Sequence, residues 1–320
     1  MKVSVIIRTY NRAYIIAEAI ESALKQTYDD YEVLVVDDGS TDDTPGIVKG
    51  FHDSRLRYVR HEKNLGVGAA CNTGVAQAKG ELIAFLDSDD LWKPEKLERQ
   101  VACMVRHPEV DAVFSDVEVL DDAATIPSLI ALMNSFPKLL AKDRKQQEYV
   151  FSSRQLYLCL LEEVPIKPTV LLIKREMFEK VGLFDLTALG CEDWEFLLRL
   201  ARVACFGYVD APLAIQRRTP DAIHRKYWQQ DRAFLISRFR QEKVALKDDH
   251  EAIAAVNRGL STHCTNLAGA YLESGLKAKS ISAYFTGFKE TGEPMMLVRA
   301  ASTMLPTRLN SLLKRLVHKA

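Results

Sequence analysis

Short runs of aliphatic and β-branched residues recur along the first third of the chain, at 3–7, 32–36, 56–59, 82–86 and 112–114, and each reads as a buried strand. The segments between them carry apolar residues at helical spacing. In 13–25, Ile16, Ile20, Ala23 and Leu24 recur on one face, and Pro94 opens a further helix through Leu97, Val101 and Met104. Such alternation predicts an α/β fold with a mostly parallel sheet covered by helices.

After Val119 the pattern changes. Residues 121–145 form a helix-prone, mixed-charge stretch holding Pro127 and Pro137, suited to a mobile lid or an acceptor wall, and 151–163 reads as a further helix. A strand at 169–173, a short helix at 175–181 and a helix at 194–202 then return the chain to the α/β pattern, which ends near Arg225. Residues 226–320 read as mostly helical, with a hairpin over 267–294 broken at Gly275. Two regions are therefore expected, an α/β domain at 1–225 and a helical appendage at 226–320.

Composition narrows the function classes. With 320 residues and 48% hydrophobic content the chain can bury an enzyme-sized core. Its 43 basic and 43 acidic side chains give no net charge, so no global field argues for a nucleic-acid partner. The six cysteines are scattered without a CxxC pair and read as reduced core residues. Arg8 and Arg12 interrupt the N-terminal apolar run, and no stretch reaches the roughly 18 apolar residues of a membrane span. A cytoplasmic location is the resulting expectation.

In an open α/β sheet, ligands bind beyond the carboxyl ends of the strands. The residues there are polar and acidic: Thr9, Tyr10, Asn11 and Arg12 after the first strand, Asp37, Asp38, Gly39 and Ser40 after the second, Asp87, Ser88, Asp89 and Asp90 after the fourth. Asp87 and Asp89, spaced as Asp-x-Asp, suit a sugar diphosphate, because Mg²⁺ or Mn²⁺ sits between such a diphosphate and one or two carboxylates. Aspartates also cluster in turns and at helix N-caps. Asp37 and Asp38 come straight off a strand, where a carboxylate can accept a base N–H or a ribose hydroxyl, whereas Asp42 and Asp43 read as first-turn residues of a helix. Asn64, Leu65, Gly66, Val67 and Gly68 precede a helix at 69–78 whose N-terminus can face a phosphate or sugar, but Cys71 breaks the dinucleotide pattern GxGxxG.

The series IIRTYNRA, EVLVVDDGSTDDT, NLGVGAACNTG, GELIAFLDSDDLWKPEKL, VGLFD and CEDWEFLLRL resembles, in order and over about residues 1–215, the family-2 glycosyltransferases of the GT-A fold, especially bacterial enzymes of surface-polysaccharide synthesis. The resemblance implies a nucleotide-sugar-binding half at 1–118 and an acceptor side at 119–225. It implies that Thr9, Tyr10 and Arg12 border the base, that Asp38 contacts base or ribose while Asp37 orients that turn, and that Asn64, Asp87 and Ser88 belong to the donor site. Asp89 would coordinate Mn²⁺ or Mg²⁺, with His224 a further candidate ligand, and Arg217 would meet the diphosphate. Asp193, in the acidic pair Glu192 and Asp193, would be the general base of an inverting transfer.

The implied partners are a nucleotide-sugar donor, with uracil favoured as its base, and a glycan or lipid-linked acceptor. The chain departs from the family in two places: Cys71 stands where an arginine is common before the asparagine, and Arg217 and Arg218 are followed by Thr219 instead of closely by histidine. The QxxRW motif of processive synthases is missing, which favours a single transfer. Basic and apolar residues interleave over 297–319, a pattern for an amphipathic helix that lies on an anionic membrane or packs on the domain or on a second subunit in a homodimer. The competing functions are a nucleotide-sugar-binding module without catalysis and a nucleotidyltransferase, though the latter needs a glycine-rich basic loop that IIRTYNRA does not offer.

Overall fold

The structure is a computed structural model that describes residues 1–121, 124–140, 146–219 and 223–304, without the side chains of 223–228. Contacts divide the chain into two units, Met1–Lys226 and Tyr227–Ala320. The first opens with β1 (Val3–Thr9), α1 (Ile16–Leu24), β2 (Tyr31–Asp37), α2 (Thr44–Lys49), β3 (Leu56–Arg60), α3 (Val67–Gln77) and β4 (Leu82–Asp87). These four strands are parallel, in the order β3-β2-β1-β4. A parallel sheet covered on both faces needs strands apolar throughout, which is why β2 is buried at every residue and β1 at all but Arg8. Above them α1 buries Ile16, Ala19, Ile20 and Ala23, spaced to form one helical stripe.

The sheet continues through β5 (Leu91–Trp92), α4 (Lys96–Arg106), β6 (Ala112–Asp121), β7 (Ala124–Ile126), α5 (Phe136–Leu139), β8 (Glu148–Phe151), α6 (Ser153–Leu160), β9 (Leu172–Lys174), α7 (Glu176–Val181), α8 (Glu192–Leu200) and β10 (Phe206–Arg217). Strand β9 lies antiparallel between β4 and β6, and β10 runs parallel to β6 and antiparallel to β5 and β8. The sheet is therefore mixed. The β6–β10 register shifts between Val209 and Ala214, around Pro212, whose missing N–H cannot serve a regular ladder.

The region after Val119 differs from the helical expectation. It opens with the end of a β-hairpin of β6 and β7, because β6 is buried from Ala112 to Val117 and extends to Asp121 with β10 as a long partner. Residues 141–145 lie outside the described residues. Phe151 belongs to β8, and the helix expected from it begins at Ser153, where Ser152 and Gln155 form a reciprocal capping box. Pro168 opens a 3₁₀ turn at Pro168–Val170, so the strand expected at 169–173 starts only at Leu172.

The second unit contains α10 (His250–Glu273), α11 (Lys277–Thr291) and α12 (Pro294–Met304), preceded by α9 (Ile223–Ala245), which begins before the division. Gly275 and Gly292, at φ +74° and +72°, end α10 and α11 in the left-handed region open to glycine. No helix among the described residues is long and apolar enough to cross a membrane. Residues 305–320, most of the interleaved basic segment, lie outside the described residues.

Gly80 tests the close fit of β1 against the chain entering β4. A Cβ there would meet the backbone nitrogen of Ser4 at 2.6 Å and the carbonyl oxygen of Lys2 at 2.7 Å. Gly80→Ala should lower stability by about 1–3 kcal/mol, read as a lower urea midpoint at unchanged slope. An unaltered midpoint would show that the backbone yields there.

Candidate active site

Strand register collects the polar turns at one edge of the sheet. Thr9 is paired with Asp37, Arg8 with Asp87, and Asp37 with Arg60, so β1, β2, β3 and β4 all deliver their carboxyl ends together. Interlocking then holds the turns. Asn11, in the left-handed region at φ +52°, gives its backbone N–H to the Ser40 hydroxyl at 2.8 Å and accepts from the Thr41 amide at 2.7 Å. Gly39 is required at φ +79°, because a Cβ there would lie 2.7 Å from the Lys63 backbone. Asp42 accepts from the Ala13 and Thr44 amides, tying the first loop to α2; Asp43 is the cap position and makes no capping bond with its side chain.

The acidic residues satisfy their charges differently. Asp37, fully buried, accepts from the Ser40 amide at 2.8 Å and the Tyr58 hydroxyl at 2.5 Å. Asp38 gives one oxygen to His61 Nδ1 at 2.7 Å and the Leu65 amide at 2.9 Å, and the other to the Gly66 amide at 2.8 Å. It thereby fixes the loop before α3. Asp87 pairs with Arg8 at 2.6 Å and keeps 21% of its side chain exposed. Asp90 is buried and accepts the Arg217 amide at 3.0 Å; burial, then the charges of Asp87 and Asp89, push its carboxyl well above the usual range.

Across the site, α8 begins at Glu192 after Gly190, which adopts φ +78°. Its position is set by stacked aromatic rings, with Phe196 4.6 Å from Phe184 and 5.1 Å from Phe178 between ring centres. Asp193 borders a small apolar hollow with Phe85, Pro168, Leu171, Phe184, Phe196 and Leu197. One of its oxygens accepts from the Trp194 amide at 2.7 Å. Its charge reaches Asp87, so the carboxylates after β4 and at the start of α8 share one electrostatic environment. Glu192 is buried, and burial followed by the charge of Asp193 pushes its carboxyl up to about 7.

The remaining sequence candidates occupy distinct settings. Thr9 is buried with a hydroxyl that makes no hydrogen bond among the described residues, Tyr10 is 40% exposed, Ser88 is buried and Asn64 is exposed. Arg12 gives its amide to Thr44 and lies over the Tyr14 ring. Arg217 bonds the Asp89 carbonyl and pairs with Glu18, so it clamps the acidic turn to β10 and α1. Asp89 accepts the Thr219 hydroxyl at 3.2 Å with one carboxylate oxygen. The side chain of His224 lies outside the described residues.

No three His, Cys, Asp or Glu side chains converge as a metal cage among the described residues. Asp89 nevertheless fits a cation held mainly by substrate, since Mg²⁺ commonly takes one or two carboxylates, several waters and phosphate oxygens. Sequence reasoning gave no site role to Arg8, which lies within IIRTYNRA, or to Glu18 and His61, which lie outside the motifs. Asn72 was visible only within a motif; it clamps the VGLFD turn by exchanging two hydrogen bonds with the backbone of Phe184.

The family model described as Glycosyl transferase family 2 matches residues 4–182. Among curated relatives, the chain is 38% identical over 129 residues to the UDP-Glc:alpha-D-GlcNAc-diphosphoundecaprenol beta-1,3-glucosyltransferase WfgD of Escherichia coli, covering 40% of this chain and 51% of WfgD. It is 32% identical over 221 residues to an uncharacterized glycosyltransferase of Rickettsia typhi, covering 69% of this chain and 64% of that protein. The matches thus span about half to under two thirds of these relatives. Among solved structures, S. aureus TarS superposes with a TM-score of 0.66 at 22% identity, over 98% of this chain and 52% of TarS. TarS 1-349 in complex with UDP-GlcNAc gives 0.65 at 20% identity, over 98% of this chain and 86% of that one. At these identities the likeness is one of fold, and the fold is GT-A-like.

Glu192 makes the site sensitive to pH. Its ordinary value is 4.5 and the folded value about 7, so between them the unfolded chain loses the proton first and the folded state loses stability as pH rises. Glu192→Gln removes this dependence. Relative to wild type, the variant should gain on the order of 3 kcal/mol between pH 4.5 and pH 8, measured by urea unfolding at both. An equal difference at the two pH values would contradict the assignment.

Proposed function

The chain belongs to glycosyl transferase family 2, and from that premise we propose that it is an inverting glycosyltransferase moving a sugar from a nucleoside-diphosphate donor to a hydroxyl of a glycan or lipid-linked saccharide. The observation that carries this reading is the alignment of Thr9, Asp37 and Asp87 at one sheet edge with Asp193 within electrostatic reach across it. A UDP-sugar is the favoured donor. The named substrates of WfgD and the UDP-GlcNAc bound by TarS support a nucleotide-sugar donor and a lipid-linked acceptor in surface-polysaccharide or lipopolysaccharide synthesis. Such acceptors would be met at the cytoplasmic face of a membrane.

In this mechanism exposed Tyr10 and half-buried Arg12 border the base, and Asp87 receives a ribose hydroxyl. Buried Asp37 and Asp38 serve the site by fixing its loops. Asp193, with one oxygen held by the Trp194 amide, uses the other to take the acceptor's hydroxyl proton. The acceptor oxygen bonds to the sugar's C1 from the face opposite the diphosphate, the C1–O bond breaks, and the nucleoside diphosphate leaves with its electron pair. Glu192 next to it, its carboxyl pushed up to about 7 by burial and by the charge of Asp193, carries a proton about half the time near neutral pH, which limits repulsion inside the acidic pair. Asp89 would hold Mn²⁺ or Mg²⁺, which when bound neutralises charge gathering on the leaving diphosphate. Aligning the two substrates supplies much of the remaining acceleration.

The test is release of nucleoside diphosphate from UDP-, GDP- and dTDP-sugars with Mn²⁺ or Mg²⁺, with and without saccharide acceptors. One donor should be consumed, Asp193→Asn should lower kcat at least about 100-fold at similar donor affinity, and Asp89→Asn should abolish metal stimulation. Donor binding without turnover under every condition would instead identify a binding module.

A further inference from the structure

The motif GELIAFLDSDDLWKPEKL runs on past its aspartates into a buried polar cluster. Lys96, which opens α4, is 0% exposed. Its Nζ lies 3.9 Å from the centre of the Trp92 ring and donates to Gln100 Oε1, one helical turn on, at 2.7 Å. Burial pushes the ammonium well below the ordinary lysine range, and no acidic group offsets this among the described residues. A lysine buried against neutral partners is unfavourable, and an apolar side chain of similar length would fill the space without that desolvation. Stability alone therefore does not account for it.

The cluster holds the acceptor side of the site. With its oxygen occupied by Lys96, the Gln100 amide turns its nitrogen outward, and Nε2 donates to the Val170 carbonyl at 2.7 Å. Trp92 Nε1, on the ring that faces the lysine, donates to the Thr169 carbonyl at 2.7 Å. Two successive carbonyls of the Pro168–Val170 turn are thus fixed by side chains, and the residues flanking them, Pro168 and Leu171, line the hollow beside Asp193. We propose that Lys96 is a positioning residue of the acceptor side: through Gln100 and Trp92 it sets the Pro168–Leu171 wall along which the acceptor meets Asp193. This rests on the transferase reading. Without the lysine donor the Gln100 amide is free to turn over, and the wall loses a hydrogen bond while keeping its apolar packing.

The experiment compares wild type, Lys96→Met, Gln100→Leu, the double variant Lys96→Met/Gln100→Leu, and Trp92→Phe, which keeps a ring but loses the Nε1 donor. It reads Tm, the Kd of UDP, GDP and dTDP by calorimetry, and nucleoside diphosphate release with water alone and with free and prenyl-diphosphate-linked saccharides. Transfer to saccharide should fall about tenfold or more in every variant, while nucleotide Kd and donor hydrolysis by water change less than about threefold. Because Lys96 acts through Gln100, the double variant should transfer within about threefold of Gln100→Leu. Its Tm should nevertheless rise above that of both single variants, since removing both partners leaves neither of them unpaired. A lysine that only supports the fold would give transfer that recovers together with Tm, and that result overturns the proposal. Multiplying losses in the double variant overturn it too, as does a Lys96→Met variant that transfers like wild type. If Lys96→Met does not fold, the double variant and Trp92→Phe decide the same question. Wild type that transfers to none of the saccharides would instead bring down the transferase reading itself, and this proposal with it.

Discussion

Burying carboxylates is the constraint around which this site is built. Asp37, Asp38, Asp87, Asp90 and Glu192 all leave water wholly or largely, and an uncompensated buried charge costs several kcal/mol. The fold answers by three routes. Asp37 and Asp38 stay in hydrogen-bonded cages of amides, a tyrosine and a histidine. Asp90 and Glu192 are driven toward their neutral forms. Asp87 pairs directly with the largely buried guanidinium of Arg8 and keeps part of its side chain open at the edge.

This sorting separates residues that shape the site from those that can meet a substrate. The caged aspartates interlock loops: Asp38 fixes residues 65–66, and Asp42 joins the loop after β1 to α2. The charges of Asp89 and Asp193 both reach Asp87 at the edge. Catalysis by electrostatic preorganisation needs such a division, since a group aimed at developing charge must be held by groups that do not move. The stacked rings of Phe178, Phe184 and Phe196 perform that holding for α8.

The parallel half of the fold and its acidic edge were legible in the sequence. Strands buried on both faces must be continuously apolar, helices between them must carry a stripe, and the residues after such strands must lie at the edge where ligands bind. Those rules are local, and they located β1 to β4 and the three polar turns, two of them acidic. They failed at the end of β6, which runs on to Asp121 because β10 pairs with nine of its residues and β7 closes a hairpin on it. The capping box at Ser152 and the 3₁₀ turn at Pro168 similarly moved element boundaries by two and three residues.

What the sequence determined by itself was therefore the family, the fold class and the roster of carboxylates, since these follow from residue order and local periodicity. Tertiary structure alone decided the partners. Arg8 meets Cys71 across 63 positions, Asp38 meets Gly66 across 28, and the Arg217 amide meets Asp90 across 127. Such pairs depend on strand register and on which helix packs against which face, and neither leaves a signature at the residues that end up in contact. Whether an aspartate becomes a loop clamp, a neutral acid or an open ligand is set by that packing, because the energy of a charge depends on its surroundings more than on its identity.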